Sequence, residues 1–250
     1  MSKRGRLAEA AIVLDVLSAL LWGAVAASSL VIGALLGVAR QWDSRLIGAV
    51  LGFGAGALIS SVSFELVEEG LRAAGGGPVA LGLAAGALAF FLGDRGVERI
   101  GGRSGAAAAG FPLLLGALLD GIPEQVVLGI GSAAGQGVSV ALLVAIFVSN
   151  LPESIGSATD MRSAGRPSRM IIFGWLIVAV VCTFATLAGY WVSAVVGDRF
   201  TGGVDGFAAG ALLVMLVGSM IPEAKEKASI SAGLTAVLGF AVAAGLSAIS

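Results

Sequence analysis

Residues 111–132 read FPLLLGALLDGIPEQVVLGIGS, and residues 137–160 read GVSVALLVAIFVSNLPESIGSATD. Each run is as long as the roughly 20 mostly apolar residues that cross a bilayer as a helix. Each also carries acid in its middle: Asp120 and Glu124 in the first, Glu153 in the second. A soluble core would exclude these carboxylates, and a soluble surface would not be this apolar.

Working outward, the rest of the chain has the same character. Of 250 residues, 57% are hydrophobic and 12% charged, against about 25% charged in soluble domains. The mean hydropathy is +0.99. The 39 glycines are spread through the apolar runs, as in membrane helices that pack closely. Runs long enough to span cover 11–38, 46–72, 78–97, 111–132, 137–160, 170–196, 204–223 and 229–249. They do not alternate as barrel strands do. The expected fold is an all-α membrane protein of eight transmembrane helices, one polytopic domain over residues 1–250.

Charge and residue usage exclude several functions. The net charge is −1 and no basic tract follows the first few residues, so nucleic-acid binding has no electrostatic basis. There is no histidine, hence no imidazole catalysis or ligation. The single Cys182 lies in an apolar run and reads as a small buried hydrophobe. Lys3, Arg4 and Arg6 flank the first span; no small-residue cleavage site follows.

Two internal repeats are visible. Gly52-Phe53-Gly54-Ala55-Gly56-Ala57-Leu58 in span two answers Gly206-Phe207-Ala208-Ala209-Gly210-Ala211-Leu212 in span seven, in a register that sets Glu69 opposite Glu223. Spans one to three then match six to eight, and spans four and five form a central pair. A three-span unit implies opposite membrane orientations for its copies, a 3+2+3 arrangement with an inverted repeat. In the central pair, Asp120-Gly121-Ile122-Pro123-Glu124 answers Ser149-Asn150-Leu151-Pro152-Glu153.

Acids at mid-membrane cost about 2.5–3.5 kcal/mol each to insert. Asp120 and Glu124 are four apart, and Asn150 and Glu153 three apart, so each pair shares one helix face. Pro123 and Pro152 lack an N–H and release the carbonyls of Leu119 and Val148. An isolated Pro-Glu reads as a solvated helix end, but two copies at matching depth read as a site. Its ionised acids repel one another unless a cation sits between them, and hard oxygen donors suit a divalent metal. Glu65, Glu68 and Glu69 end span two, while Glu223 and Glu226 end span seven. These read either as solvated cytoplasmic ends or, for Glu69 and Glu223, as an exit route for the metal. Trp22, Trp42, Trp175 and Trp191 read as packing or interfacial anchors.

These motifs, with the Gly-Phe-Ala-Ala-Gly-Ala-Leu of span seven and its Ile221-Pro222-Glu223-Ala224 end, resemble the ZIP family of divalent metal transporters. The closest resemblance is to its bacterial branch. The family has eight spans in a 3+2+3 arrangement with outward termini. It carries His-Asn-x-Pro-Glu-Gly in span four and (His or Gln)-(Asn or Asp)-x-Pro-Glu-Gly in span five. The resemblance implies Asp120 at the His position, Glu124 at the Glu, and Ser149, Asn150 and Glu153 as the span-five ligands. Gly121 replaces the Asn of a second metal site, Gln125 and Ser154 replace the glycines, and no acid lies within 182–190 of span six. One site is therefore expected rather than two.

The expected function is transport of a divalent cation, zinc or a related ion, into the cytoplasm. The metal is cargo, with no cofactor and no enzymatic step. The alternatives are a carrier of another small cation, or a non-transporting sensor or scaffold whose metal site has decayed. The implied partners are the metal ion and the lipid bilayer, with a homodimer as an open assembly state. The expected location is the cell (inner) membrane. Arg40, Arg45, Arg95, Arg99, Arg103, Arg162, Arg166, Arg169, Lys225 and Lys227 fall on one side, and Lys3, Arg4, Arg6, Arg72 and Arg199 on the other. The richer side is cytoplasmic, which puts both termini outside. A reporter at Ala107 is therefore predicted to face the cytoplasm and one after Ser250 the exterior. Labelling of a cysteine at position 250 from the cytoplasmic side alone would overturn this topology.

Overall fold

The computed structural model describes residues 3–103, 111–133, 138–195 and 198–248; Ala107 and both chain ends lie outside them. Among the described residues the secondary structure is entirely helical. In chain order the helices are α1 (Lys3–Ala39), α2 (Ser44–Ser61), α3 (Glu68–Ala74), α4 (Gly76–Arg103) and α5 (Phe111–Ala133). They continue with α6 (Val140–Ser163), α7 (Ser168–Val195), α8 (Asp198–Met215), α9 (Ile221–Ala228) and α10 (Ser231–Ser247). A π-helical turn at Val62–Val67 joins α2 to α3, and another at Leu216–Met220 joins α8 to α9. The described helices therefore form eight rods that match the eight expected spans.

Seven of these rods are long and apolar enough to cross a membrane. The eighth, α10, has 17 residues, the lower limit for a span. The chain is a multi-pass membrane protein. Its exposed side chains agree: Leu81, Leu88, Phe173, Phe184, Leu234 and Val237 all face outward, which water would penalise and lipid does not.

Local chemistry sets the ends. The Asp43 side chain accepts from Arg45 N at 2.7 Å and caps α2. After α6, Gly165 adopts φ +79°, while Arg166 N donates to Met161 O and Gly165 N to Arg162 O. That pairing satisfies the last carbonyls of α6. Pro123 and Pro152 lie inside continuous helices.

The rods are held by backbone-to-backbone approach, which glycine alone permits. A Cβ at Gly86 of α4 would strike the Phe207 carbonyl of α8, and one at Gly239 of α10 would strike the Phe53 carbonyl of α2. The same relation joins Gly210 to Leu83 and Gly56 to Ala236, and Gly129 to Thr186 and Gly189 to Val126. Span two therefore packs on span eight, span three on span seven, and span four on span six, while span one lies along spans five and six. Small residues let helices in lipid approach closely enough for dispersion to hold them. Span two is the most buried of the seven longer rods and span three the least. Trp175 is wholly buried rather than interfacial, whereas Trp22 and Trp191 are exposed to the outside. Trp42 is partly buried, its Nε1 donating to Leu36 O at 3.1 Å.

Candidate metal-binding site

Asp120 and Glu124 stand near the middle of α5, and Asn150 and Glu153 near the middle of α6. Helical spacing turns Asp120, Glu124 and Glu153 toward the seam between these rods and span seven. A cavity of about 180 Å³ opens there, with Asp120, Glu124, Glu153 and Glu223 supplying its acids. Ser157, Ser219, Met215 and Met220 supply hydroxyls and thioethers. Glu124 is 2% exposed. Ser149 donates from Oγ to its Oε1 at 3.2 Å, while Glu124 Oε2 has no hydrogen-bond partner. Asn150 lies beside the same carboxylate, and its Nδ2 is likewise buried without a formed hydrogen bond.

Such a cluster asks for positive charge. The charges of Asp120, Glu124 and Glu223 all act on Glu153, and Asp94 of α4 adds its own on Asp120. In a low-dielectric interior these repulsions exceed what water would allow, and an isolated buried carboxylate is costly. Among the described residues, no three Asp, Glu or Cys side chains stand close enough together to hold a metal ion. Coordination by several carboxylates at once therefore requires their side chains, or the rods carrying them, to draw together.

Of the residues expected from the sequence, Asp120, Glu124 and Glu153 line this cavity, whereas Ser149 and Asn150 do not line it and lie beside Glu124. The pairing of Glu69 with Glu223 as one exit route needs correction. Gly70 of α3 approaches Gly202 and Asp205 at the start of α8, whereas Gly48 of α2 approaches Lys227 and Ala228 of α9. Spans two and seven thus run antiparallel, so their acidic ends lie at opposite ends of the bundle. Glu223 joins the central cavity; Glu69 is exposed and lies near the buried Asp205. Glu65 accepts from Ser247 Oγ at 2.8 Å.

The sequence reading missed the part that span seven plays. The π-turn at Leu216–Met220 precedes Pro222, and Ser219 Oγ donates to Met215 O at 2.8 Å. In span two, Ser63 Oγ donates to Ile59 O at 2.8 Å within the other π-turn. Extra turns of this kind are rare and concentrate at functional sites. The available signal was the Gly218–Pro222 interruption of an apolar run, since broken segments in paired halves mark transport sites. Asp94 gave no comparable signal, because it stands at the end of its apolar run.

No family model matches the chain. It is 30% identical over 200 residues, 76% of its length, to a curated Arabidopsis thaliana protein named "Putative zinc transporter". The chain spans 32% of that protein's length. The relative is a plant protein, so the match lends nothing to the bacterial branch in particular.

Cys182 is wholly buried, and a Cβ at Gly121 would lie 2.8 Å from its sulfur. The two positions are therefore coupled. Gly121→Ala is expected to be more favourable in a Cys182→Ala background than in the wild type, by about 1–2 kcal/mol. Thermal unfolding of the four proteins in detergent measures this, and additive effects would contradict the packing described.

Proposed function

We propose that this protein carries divalent metal cations, zinc or a related ion, across the membrane into the cytoplasm. The observation that carries the reading is the cavity between spans four, five and seven, which four carboxylates line within an apolar bundle. A hydrated cation reaching it exchanges water for carboxylate oxygens of Asp120, Glu124 and Glu153. Asn150 offers its amide oxygen, and Ser149 steadies Glu124 from behind. The relative's name points the same way.

The carrier mechanism follows from the repeat. Exchanging spans one to three with six to eight, and four with five, maps the tight pairs onto one another: two–eight onto seven–three, and one–five onto six–four. Gly86 against Phe207 becomes Gly239 against Phe53. The π-turns, beginning at Val62 and Leu216, stand in the register of Phe53 and Phe207, from which Gly86 and Gly239 are one residue out. These correspondences support an inverted repeat in a 3+2+3 arrangement. In such folds one unit rocks against the other around a central site, which opens to each side in turn. Glu223 lies toward the end of the bundle that carries the α9 lysines and takes the ion on that side.

Donor type sets the expected selectivity. Carboxylate and amide oxygens accept manganese and iron as well as zinc, whereas imidazole would favour zinc and its neighbours. A second reading, a sensor or scaffold that does not transport, draws support from the separation of the acids.

Uptake by sealed proteoliposomes separates the two. A Glu124→Ala, Glu153→Ala double variant that folds and inserts is expected to lose uptake by at least about a hundredfold. Near-normal uptake by that variant would contradict the site. Absence of uptake by the wild type would favour the sensor. Asp120→His is expected to raise the ratio of zinc to manganese transported. An unchanged ratio would show that selectivity resides elsewhere.

A further inference from the structure

Lys227 Nζ lies 2.9 Å from Glu223 Oε1. The pair has i,i+4 spacing on α9, a common arrangement on solvated helices, where it contributes little. Its surroundings are not those of a solvated pair. The carboxylates of this pair and of Glu68–Arg72 are similarly exposed, 37% and 44%, but the Lys227 side chain is 22% exposed where Arg72 is 74%. Its neighbour Lys225 points outward. The Lys227 ammonium is seated instead against span five. A Cβ at Gly156 would lie 3.1 Å from Nζ and 3.8 Å from Glu223 Oε1. Gly156 is one turn beyond Glu153 and next to Ser157, both of which line the acidic cavity. The absence of a side chain at 156 is what gives the ammonium its place beside that cavity.

Glu223 is thus shared. One oxygen holds a lysine, and the residue also lines the cavity with Asp120, Glu124 and Glu153. We propose that Lys227 is a built-in counter-cation of this cavity, holding Glu223 when no metal is present and yielding it to an arriving divalent ion. This rests on the carrier reading above. A tethered single charge at short range competes well against a monovalent ion, which offers no more charge and must also be desolvated. A divalent ion brings twice the charge and displaces it. Lys227 would then be a specificity-determining residue, favouring divalent over monovalent cations, and its return to Glu223 would help release the metal.

The test measures Mn²⁺ binding to the purified full-length protein in detergent, following free Mn²⁺ by electron paramagnetic resonance, with and without Na⁺. Lys227→Met is expected to lower the Kd for Mn²⁺ about three- to tenfold and to make binding sensitive to Na⁺. Lys227→Arg should retain the wild-type behaviour. Gly156→Ala, which crowds the ammonium without removing it, should shift the Kd in the same direction as Lys227→Met. In a Glu223→Gln background, Lys227→Met should have little further effect. Unchanged or weaker Mn²⁺ binding by Lys227→Met would overturn the proposal, as would the same gain in the Glu223→Gln background. Failure of the carrier reading gives a different result: if neither wild type nor Lys227→Met binds Mn²⁺, the metal site and both proposals fall, whereas the expected Mn²⁺ binding without uptake into proteoliposomes overturns the carrier alone.

Discussion

A carboxylate inside a hydrocarbon bundle must find a positive charge or a dense set of donors, and much of this structure follows from that demand. Glu124 is nearly inaccessible, receives one hydroxyl donor from Ser149, and keeps its second oxygen without a partner. Asp120, Glu153 and Glu223 share its cavity. Burial at this level strengthens attraction and repulsion alike. A cluster so arranged holds a cation tightly, or else holds its own acids apart until one arrives. The separation of the acids in this conformation fits the second condition, and movement of the rods would convert it into the first.

Movement of that kind needs rods that stay intact while their seams shift. Here the seams between spans two and eight and between spans three and seven bring glycine against backbone carbonyl. The contacts of Gly86 with Phe207 and Gly239 with Phe53 are smooth surfaces held by dispersion. The π-turns mark where spans two and seven depart from regular helix. In each, a serine hydroxyl donates to the carbonyl four residues before it. The same interruption in span seven brings Ser219, Met220 and Glu223 to the acidic cavity. Local irregularity and the site therefore coincide, as they do where a helix must present backbone or acid to a cargo.

Much of this was legible in the sequence, for physical reasons. In a bilayer only helices and closed barrels satisfy their own backbones, so apolar run length reported the rods almost directly. The spacing of Asp120 to Glu124 and of Asn150 to Glu153 fixed the helix faces that meet. The inverted repeat already implied the direction of each rod, and the expectation of one shared exit route overlooked it. Glu69 and Glu223 hold equivalent places in the repeat, yet antiparallel rods carry them to opposite ends. Trp175 gave no sign of being core rather than anchor, because an apolar run looks alike on its lipid and protein faces. Lys227 was legible only as one charge among several at a helix end. Its seat against Gly156 depends on how spans five and seven cross.

The central claim is that a divalent ion binds among Asp120, Glu124 and Glu153, with Glu223 at its margin. Anomalous scattering from crystals of the full-length protein grown with Mn²⁺ tests this most directly. The expected result is a peak in the cavity between spans four, five and seven, with carboxylate oxygens at about 2.0–2.4 Å. A peak only beside Glu69 and Asp205 at the other end of the bundle, or no peak at saturating Mn²⁺, would contradict it.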